Sequence, residues 1–359
     1  MTVESLHVAL LTYSSKPRGG VVHTLHLAEA LARAGAEVTV FSLGRGGDDA
    51  FFRPVDDAVT VEMVPFESRV DESVGERILR SIDVLGEAFS RAGRFDIVHA
   101  QDCISANAVG RCIRTIHHLD EFTTPELAVC HERAVTEPYA RICVSAAVAG
   151  EVRRGWGLNP TVIPNGVESA RFEAASVGGG DRWRRKFGQY VLAVGGIEPR
   201  KGSIDLLEAF ALLNTPELAL VFAGGETLFD YRDYRCQFDR RAAELGIEPI
   251  VLGTVDNDDL PFLLAQASVL PFFSTKEGFG LAAMEALAAG TPVVARDLPV
   301  LREVFGETVA YAADHVGMSR SLAAALDRRH DGAAGRALAR SLTWDAAAQR
   351  HLEFYRSVG

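Results

Sequence analysis

The sequence predicts an α/β protein built from two doubly wound parallel sheets, and three observations predict it. Short apolar runs alternate with stretches of helical period along both halves of the chain, which is the pattern of repeated βαβ units. Several apolar runs end in glycine-bearing loops that open the next helix, as at Gly19-Gly20, Gly195-Gly196 and Gly278-Phe279-Gly280. The length, 359 residues, suits two domains. The Gly-rich stretch 176–180 offers a linker, so residues 1–175 read as one domain and 176–343 as the other. The last stretch, 344–359, is an amphipathic helix expected to pack back on the first domain.

Taken in order, residues 6–11 read as a strand. Val22, Leu25, Ala28 and Leu31 then recur at helical spacing, and 37–43 reads as the next strand. The loop between strand and helix carries Gly19 and Gly20 without the G-x-G-x-x-G pattern. Because the first βα loop lies at the carboxyl edge of such a sheet, these glycines read as a close backbone approach to a ligand. The polar segment 44–57 reads as a mobile loop. Residues 75–94 read as a helix bearing Arg77, Arg80, Arg91 and Arg94, a solvated charged face in preference to a lipid-facing one. Strands follow at 96–99, 111–116 and 140–144. His117 and His118 come directly after the second of these, again at the ligand edge. A strand with an Asn165-Gly166 turn closes the first half. The second series begins at Tyr190: the strand 191–194 runs into Gly195-Gly196 and then Arg200-Lys201-Gly202 before a helix. Further strands read at 218–223, 250–252, 268–273, 292–295 and 309–311.

The stretch with the most chemistry is Glu277-Gly278-Phe279-Gly280-Leu281-Ala282-Ala283-Met284-Glu285. A Gly-rich loop that opens a helix behind a parallel strand points backbone N–H groups outward at the positive end of the helix dipole, which makes an anion site. Glu277 in the loop and Glu285 in the first turns can both face one crevice, where carboxylates are good acceptors for sugar hydroxyls. Composition narrows the alternatives. A net charge of −11 argues against a nucleic-acid binder. No apolar run is long enough to span a membrane, and the start of the chain lacks the cationic region of a signal peptide, so a cytoplasmic protein is expected, with membrane contact at most peripheral. The five cysteines show no C-x-x-C spacing and read as unpaired thiols, mostly buried.

Together these pieces resemble a retaining glycosyltransferase of family 4 (glycosyl transferases group 1), with the GT-B fold of two Rossmann-like domains facing a central cleft. The resemblance covers nearly the whole chain and rests on the order and spacing of several motifs. They are the Gly19-Gly20 loop, Thr115-Ile116-His117, Ile163-Pro164-Asn165-Gly166-Val167, Arg200-Lys201-Gly202, and the E-x7-E pair Glu277 and Glu285. It implies a UDP- or GDP-sugar donor held mainly by the second domain. The acceptor, held mainly by the first, is an unidentified small molecule, glycan or lipid-linked compound. By the resemblance, Glu285 hydrogen-bonds the ribose, while Glu277 with the backbone of Gly278, Phe279, Gly280 and Leu281 holds the transferred sugar and the distal phosphate. Lys201 neutralises the diphosphate, the Gly19, Gly20, Gly195 and Gly196 loops approach it, and Gly253, Thr254 and Val255 flank the base. His117 lies beside the anomeric carbon. Such a fold needs no metal and no cofactor, because side chains and helix termini stabilise the departing diphosphate.

The sequence departs from the family at one position. An arginine usually follows the glycine that ends the first strand of the second domain; here that position is Gly196, and Arg200 is the candidate to supply the missing charge. Two other readings compete. Gly278, Gly280 and Ala283 fit a relaxed dinucleotide fingerprint with Asp297 downstream, which would make the chain an NAD(P)-dependent oxidoreductase. That fingerprint falls in the fourth βα loop of its sheet, and the reading leaves Glu277, Glu285, Lys201 and His117 without a role. The other is a catalytically silent nucleotide-sugar-binding partner, suggested by Gly196 alone.

Overall fold

The computed structural model describes residues 6–119, 122, 124–178, 180–224, 231–327 and 331–358. The chain divides into two compact units, Met1–Gly166 with Trp344–Gly359, and Val167–Thr343.

The first unit runs β1 (His7–Thr12), α1 (Gly19–Arg33), β2 (Glu37–Arg45), β3 (Val59–Phe66), α2 (Val74–Ser90), β4 (Ile97–Ala100) and α3 (Cys103–Val109). It continues through β5 (Ile113–Ile116), α4 (Pro125–Thr136), β6 (Ala140–Cys143), α5 (Ala146–Trp156) and β7 (Thr161–Val162). All seven strands pair in parallel in the order β3-β2-β1-β4-β5-β6-β7. The order reverses between β1 and β4, and the loops after those strands flank the crevice where open α/β sheets bind ligands. β1 is buried at every residue after His7, as a strand covered by helices on both faces must be. β3, at the edge, is only partly covered.

The second unit contains α6 (Ser169–Gly178), α7 (Arg182–Phe187), β8 (Tyr190–Val194), α8 (Ser203–Ala211), β9 (Ala219–Ala223), α9 (Arg232–Glu244) and β10 (Ile250–Val251). It continues with α10 (Leu260–Gln266), β11 (Leu270–Phe272), α11 (Leu281–Ala288), β12 (Val293–Arg296), α12 (Pro299–Phe305), β13 (Ala310–Ala312), α13 (His315–Asp327) and α14 (Ala333–Ser341). Its strands form two parallel ribbons, β10-β9-β8 and β11-β12-β13. A parallel bridge between Val191 and Val269 and the bond from Leu192 N to Val269 O (3.1 Å) join them into one sheet. The joined order β10-β9-β8-β11-β12-β13 repeats that of β3-β2-β1-β4-β5-β6 in the first sheet, which has a seventh strand, and the reversal falls between β8 and β11. Val191, Leu207, Phe222, Phe238 and Val294 lie in its core.

The chain then returns to the first unit as α15 (Trp344–Val358). Trp344, Ala348, His351, Leu352 and Tyr355 are buried there; the Trp344 ring stacks on His26 of α1 at 5.4 Å, and His99 Nδ1 meets Tyr355 Oη at 2.7 Å.

Three sequence expectations need correction. The boundary between the units falls at Gly166–Val167 and not at 175–176, because residues 176–178 close α6, whose Phe172 and Ala175 are buried within the second unit. Glycine here marks a helix end and not a linker. The edge strand β3 has no signal in the sequence pattern. Its partial covering on both faces leaves neither clean alternation nor an unbroken apolar run. The segment 44–57 is not a loose loop. Gly44 belongs to β2 and allows the close approach of Asp48 O, which a Cβ would meet at 2.1 Å. Beyond it, Ser15 and Lys16 bond Asp48, and Arg53 Nη1 donates to Glu29 Oε1 at 2.6 Å.

Candidate active site

The switch point of the second sheet collects charge. Arg200 and Lys201 form a single 3₁₀ turn in the loop after β8, and Glu277 lies in the loop after β11. Glu277 Oε1 accepts from Lys201 Nζ at 2.7 Å, Ser274 Oγ at 2.9 Å and Arg200 Nη1 at 3.1 Å. Arg200 Nη2 also reaches Glu198 Oε1 at 3.1 Å, and Thr275 N donates to Arg200 O at 2.7 Å, so the two loops are stitched together. The Lys201 ammonium stands 5.2 Å above the Phe272 ring. Val194, Gly195, Gly196, Lys201, Phe272 and Ser274 line a small pocket here.

Next to this cluster α11 begins at Gly280, whose φ of +97° only glycine adopts readily; a Cβ there would meet Phe305 at 3.0 Å. No side chain caps the helix, so its first-turn N–H groups stay open. Glu285, one turn in, has a different environment. Burial pushes its carboxyl up to about 8; Arg171 opposes the rise and Glu168 adds to it. Arg171 is itself anchored, by Glu168 Oε2 at 3.1 Å and by the Asn257 carbonyl in the loop that follows Gly253, Thr254 and Val255.

The switch point of the first sheet has another character. His117 follows β5, and a Cβ on Gly20 would lie 3.6 Å from its Cδ2, so the first turn of α1 rests against the ring. His23 stands edge-on to His117 at 4.7 Å, with its Nδ1 at 2.9 Å from Asn165 Oδ1. Burial, and then the neighbouring His23, hold the His117 imidazole well below its ordinary range, so it is neutral near pH 7. Its Nε2 is buried and makes no hydrogen bond among the described residues. Gln101, directly after β4 and 1% exposed, leaves both amide atoms unpartnered in the same way.

Comparison with known proteins shows which family the chain resembles. Residues 183–330 match the family described as glycosyl transferases group 1, and residues 17–171 match glycosyltransferase family 4. The chain is 30% identical over 325 residues to the D-inositol 3-phosphate glycosyltransferase of Salinispora arenicola, covering 77% of this chain and 71% of that protein. The chain belongs to glycosyltransferase family 4. It is also 29% identical to the glycogen synthase of Mycobacterium tuberculosis, over 93% of this chain and 89% of that protein. Among solved structures, Anabaena HepE in complex with UDP and glucose superposes with a TM-score of 0.76 at 20% identity, covering 98% of this chain and all of that one. The fold is GT-B, and the enzyme is a glycosyltransferase, which removes the oxidoreductase and silent-partner readings.

Within this glycosyltransferase the structure gathers Arg200, Lys201 and Glu277 at one point, beside Gly195, Gly196 and the Gly278–Leu281 turn. It keeps Glu285 apart from them, with Arg171 and Glu168. Gly253, Thr254 and Val255 follow β10 at the sheet edge, and the loop continues to Asn257 and Asp258, which meet Arg171 of that second cluster. Gly19, Gly20 and His117 belong to the first unit. Sequence reasoning missed Arg171, Glu168, Ser274, Gln101 and His23. Glu168 and Arg171 directly follow the Asn165-Gly166-Val167 turn, and that proximity was the available signal. Among the described residues no group of three or more His, Cys, Asp or Glu could hold a metal ion, and no helix is long and apolar enough to cross a membrane.

Proposed function

We propose that this glycosyltransferase moves a sugar from a UDP- or GDP-linked donor to an acceptor hydroxyl with retention of configuration, without a metal. The observation that carries the reading is the convergence of Lys201 Nζ and Arg200 Nη1 on one oxygen of Glu277, beside the uncapped start of α11. Two cations and a helix N-terminus at one switch point match a diphosphate leaving group, whose developing charge is the main thing catalysis must stabilise. Arg200 then supplies the charge that Gly196 lacks. Glu285 is assigned to the ribose hydroxyls, Glu277 to the transferred sugar, and Gly253, Thr254 and Val255 to the base. His117, as a neutral imidazole, donates or accepts a hydrogen bond to the sugar, with the Gly19 and Gly20 amides close by.

Retention is what the resemblance to family 4 implies, and with no carboxylate assigned to attack carbon it requires front-face substitution. The acceptor hydroxyl enters on the face from which the diphosphate leaves; the C–O bond to phosphate breaks, and a departing phosphate oxygen takes the hydroxyl proton. HepE, named with UDP and glucose, supports the donor class. The acceptors named for the relatives differ from one another and fix none here. The test is a thermal-shift panel of nucleoside diphosphates and nucleotide-sugars, then NMR of the product. A matching donor at a hundred times its dissociation constant adds about 2.7 kcal/mol of stability. A β-linked product from an α-linked donor would refute retention.

A further inference from the structure

We infer that His23 and His351 are positioning residues that fix the proton of His117 on Nε2, through a water buried among the three rings. This leaves Nδ1 of His117 as an acceptor for a hydroxyl of the transferred sugar. The inference rests on the reading that His117 contacts that sugar, and it gives the contact a direction. All three rings belong to the first unit: His23 on α1, His351 on α15 and His117 directly after β5.

His23 stands at the centre of the group. Its ring is edge-on to His117 at 4.7 Å, to Trp344 at 5.4 Å and to His351 at 6.2 Å. One nitrogen of each positioning ring is already committed. Asn165 Oδ1 and the Ala347 carbonyl only accept, so His23 Nδ1 at 2.9 Å and His351 Nδ1 at 2.8 Å both carry protons. Burial holds these two rings below their ordinary range, at about 3 and about 4, so each is neutral with a single N–H. What each offers at Nε2 is therefore a bare lone pair. Both Nε2 atoms are buried and make no hydrogen bond among the described residues, and His117 Nε2 shares that condition. A Cβ on Gly20 would lie 3.7 Å from His117 Nε2, so this nitrogen faces the start of α1, the helix that carries His23. His99 stands outside the group, because Tyr355 Oη at 2.7 Å and Thr115 Oγ1 at 2.6 Å take both of its nitrogens.

Buried polar atoms are paired with protein or with ordered water, and a buried water needs roughly two to four polar partners. Three neighbouring ring nitrogens supply them. A water has two O–H groups and two lone pairs. Its O–H groups satisfy His23 Nε2 and His351 Nε2, neither of which can donate. Only lone pairs are left to face His117, so His117 Nε2 is the donor. Burial, and then His23, hold the His117 ring well below its ordinary range, so that proton is its only one. His117 is half-buried, and Nδ1 is the nitrogen that is not sealed in. A lone pair there takes a hydroxyl and refuses an ether or a fluorine in the same place. Gln101 leaves both amide atoms unpartnered among the described residues, but an amide can donate or accept and so sets no direction.

The experiment reads the His117 tautomer in the full chain without ligand. Long-range nitrogen–proton NMR on histidine-labelled protein, with His117 assigned by its loss in His117→Gln, is expected to show Nε2 protonated and Nδ1 bare in a single form. A cross-peak should join Nε2–H to a long-lived water. His351→Phe keeps a ring of similar size and removes the acceptor. It is expected to abolish the water contact, mix the two tautomers of His117 and lower kcat about 10-fold with nucleotide affinity unchanged, as for one misdirected hydrogen bond. His351→Gln, whose amide oxygen accepts in the place of Nε2, should restore the tautomer and most of the rate. A protonated Nδ1 in the unaltered protein, or no water at Nε2–H, overturns the inference, and neither readout needs a variant that folds. Unchanged His117 signals in His351→Phe overturn it as well, since a ring that only packs would lower the melting temperature and leave the tautomer alone. Undiminished turnover in His117→Gln refutes the sugar contact instead, whereas tautomer and water are read without substrate and judge the positioning by themselves.

Discussion

The two units share a strand order and differ in how they handle charge at the point where that order reverses. In the second unit the charges are paired and mostly buried: Lys201 and Arg200 meet Glu277 on a loop stitched to its neighbour by short hydrogen bonds. In the first the titratable rings are buried and kept neutral. His23, His99, His117 and His351 all lie below their ordinary range because burial penalises the cation. One fold thus hosts both an ionic site and a neutral one. The topology gives the location, and the loop residues give the chemistry.

The sharpest way to test the contrast is to remove one charge from the ionic site. Lys201→Ala is expected to lower kcat by roughly 10²–10³-fold, the loss seen when one charge-stabilising donor is removed. Steady-state kinetics with the donor found by thermal shift checks this. His117→Ala, a neutral group that positions, is expected to cost about 10²-fold in kcat with nucleotide affinity unchanged. A matching loss of nucleotide binding would break the division between the units.

Glu285 offers a test through protons. Its carboxyl is raised to about 8 in the folded chain from an ordinary 4.5, so the folded state holds a proton that the unfolded chain releases. Its contribution to stability is therefore full below about pH 4.5 and is lost as the pH climbs toward 8. Glu285→Gln should match the unaltered protein at the acid end of that window and exceed it in melting temperature at the alkaline end. Accepting ribose hydroxyls favours the ionised carboxylate, so nucleotide binding near pH 7 should release a proton, seen as a buffer-dependent calorimetric enthalpy. Glu285→Ala should weaken the nucleotide by about 2–4 kcal/mol.

The first unit should respond to acid in the opposite sense. His23 sits at about 3 and His351 at about 4, against an ordinary 6.5. Above about 6.5 both folded and unfolded forms are neutral and nothing is lost. As the pH falls from there toward 3–4 the unfolded chain takes up protons that the folded core refuses, and stability drops. Residue-resolved hydrogen exchange should show β1 and β4 losing protection before β8 and β9. The smallest effect belongs to Arg33 and Asp345, an exposed pair at 2.6 Å; Asp345→Ala is expected to cost under about 1 kcal/mol by chemical denaturation.

Much of this was legible in the sequence. The parallel strands were readable because burial on both faces makes them apolar throughout, and the glycines that open α1 and those in the loops after β8 and β11 marked the edges where ligands bind. Arg200 is the sequence's candidate to replace the arginine absent at Gly196, and the structure brings it to the same Glu277 oxygen as Lys201. What stayed hidden depends on contacts between distant segments. The proton held by Glu285 depends on α6 closing over α11, which the misplaced boundary had assigned to the other domain.

That boundary has a consequence for how the chain is made. The peptide enters the second unit at Val167 and leaves it at Thr343, and Val167 N bonds Leu342 O at 2.9 Å, so entry and exit lie side by side. A ribosome therefore delivers every residue of the second unit before α15, while the first unit, begun earlier, waits for Trp344, His351 and Tyr355 to cover α1 and β4. Domains usually mature in the order of synthesis; here the middle of the message should finish first. A chain stopped at Thr343 should hold a protease-resistant fragment 167–343 next to a first unit that is still digestible.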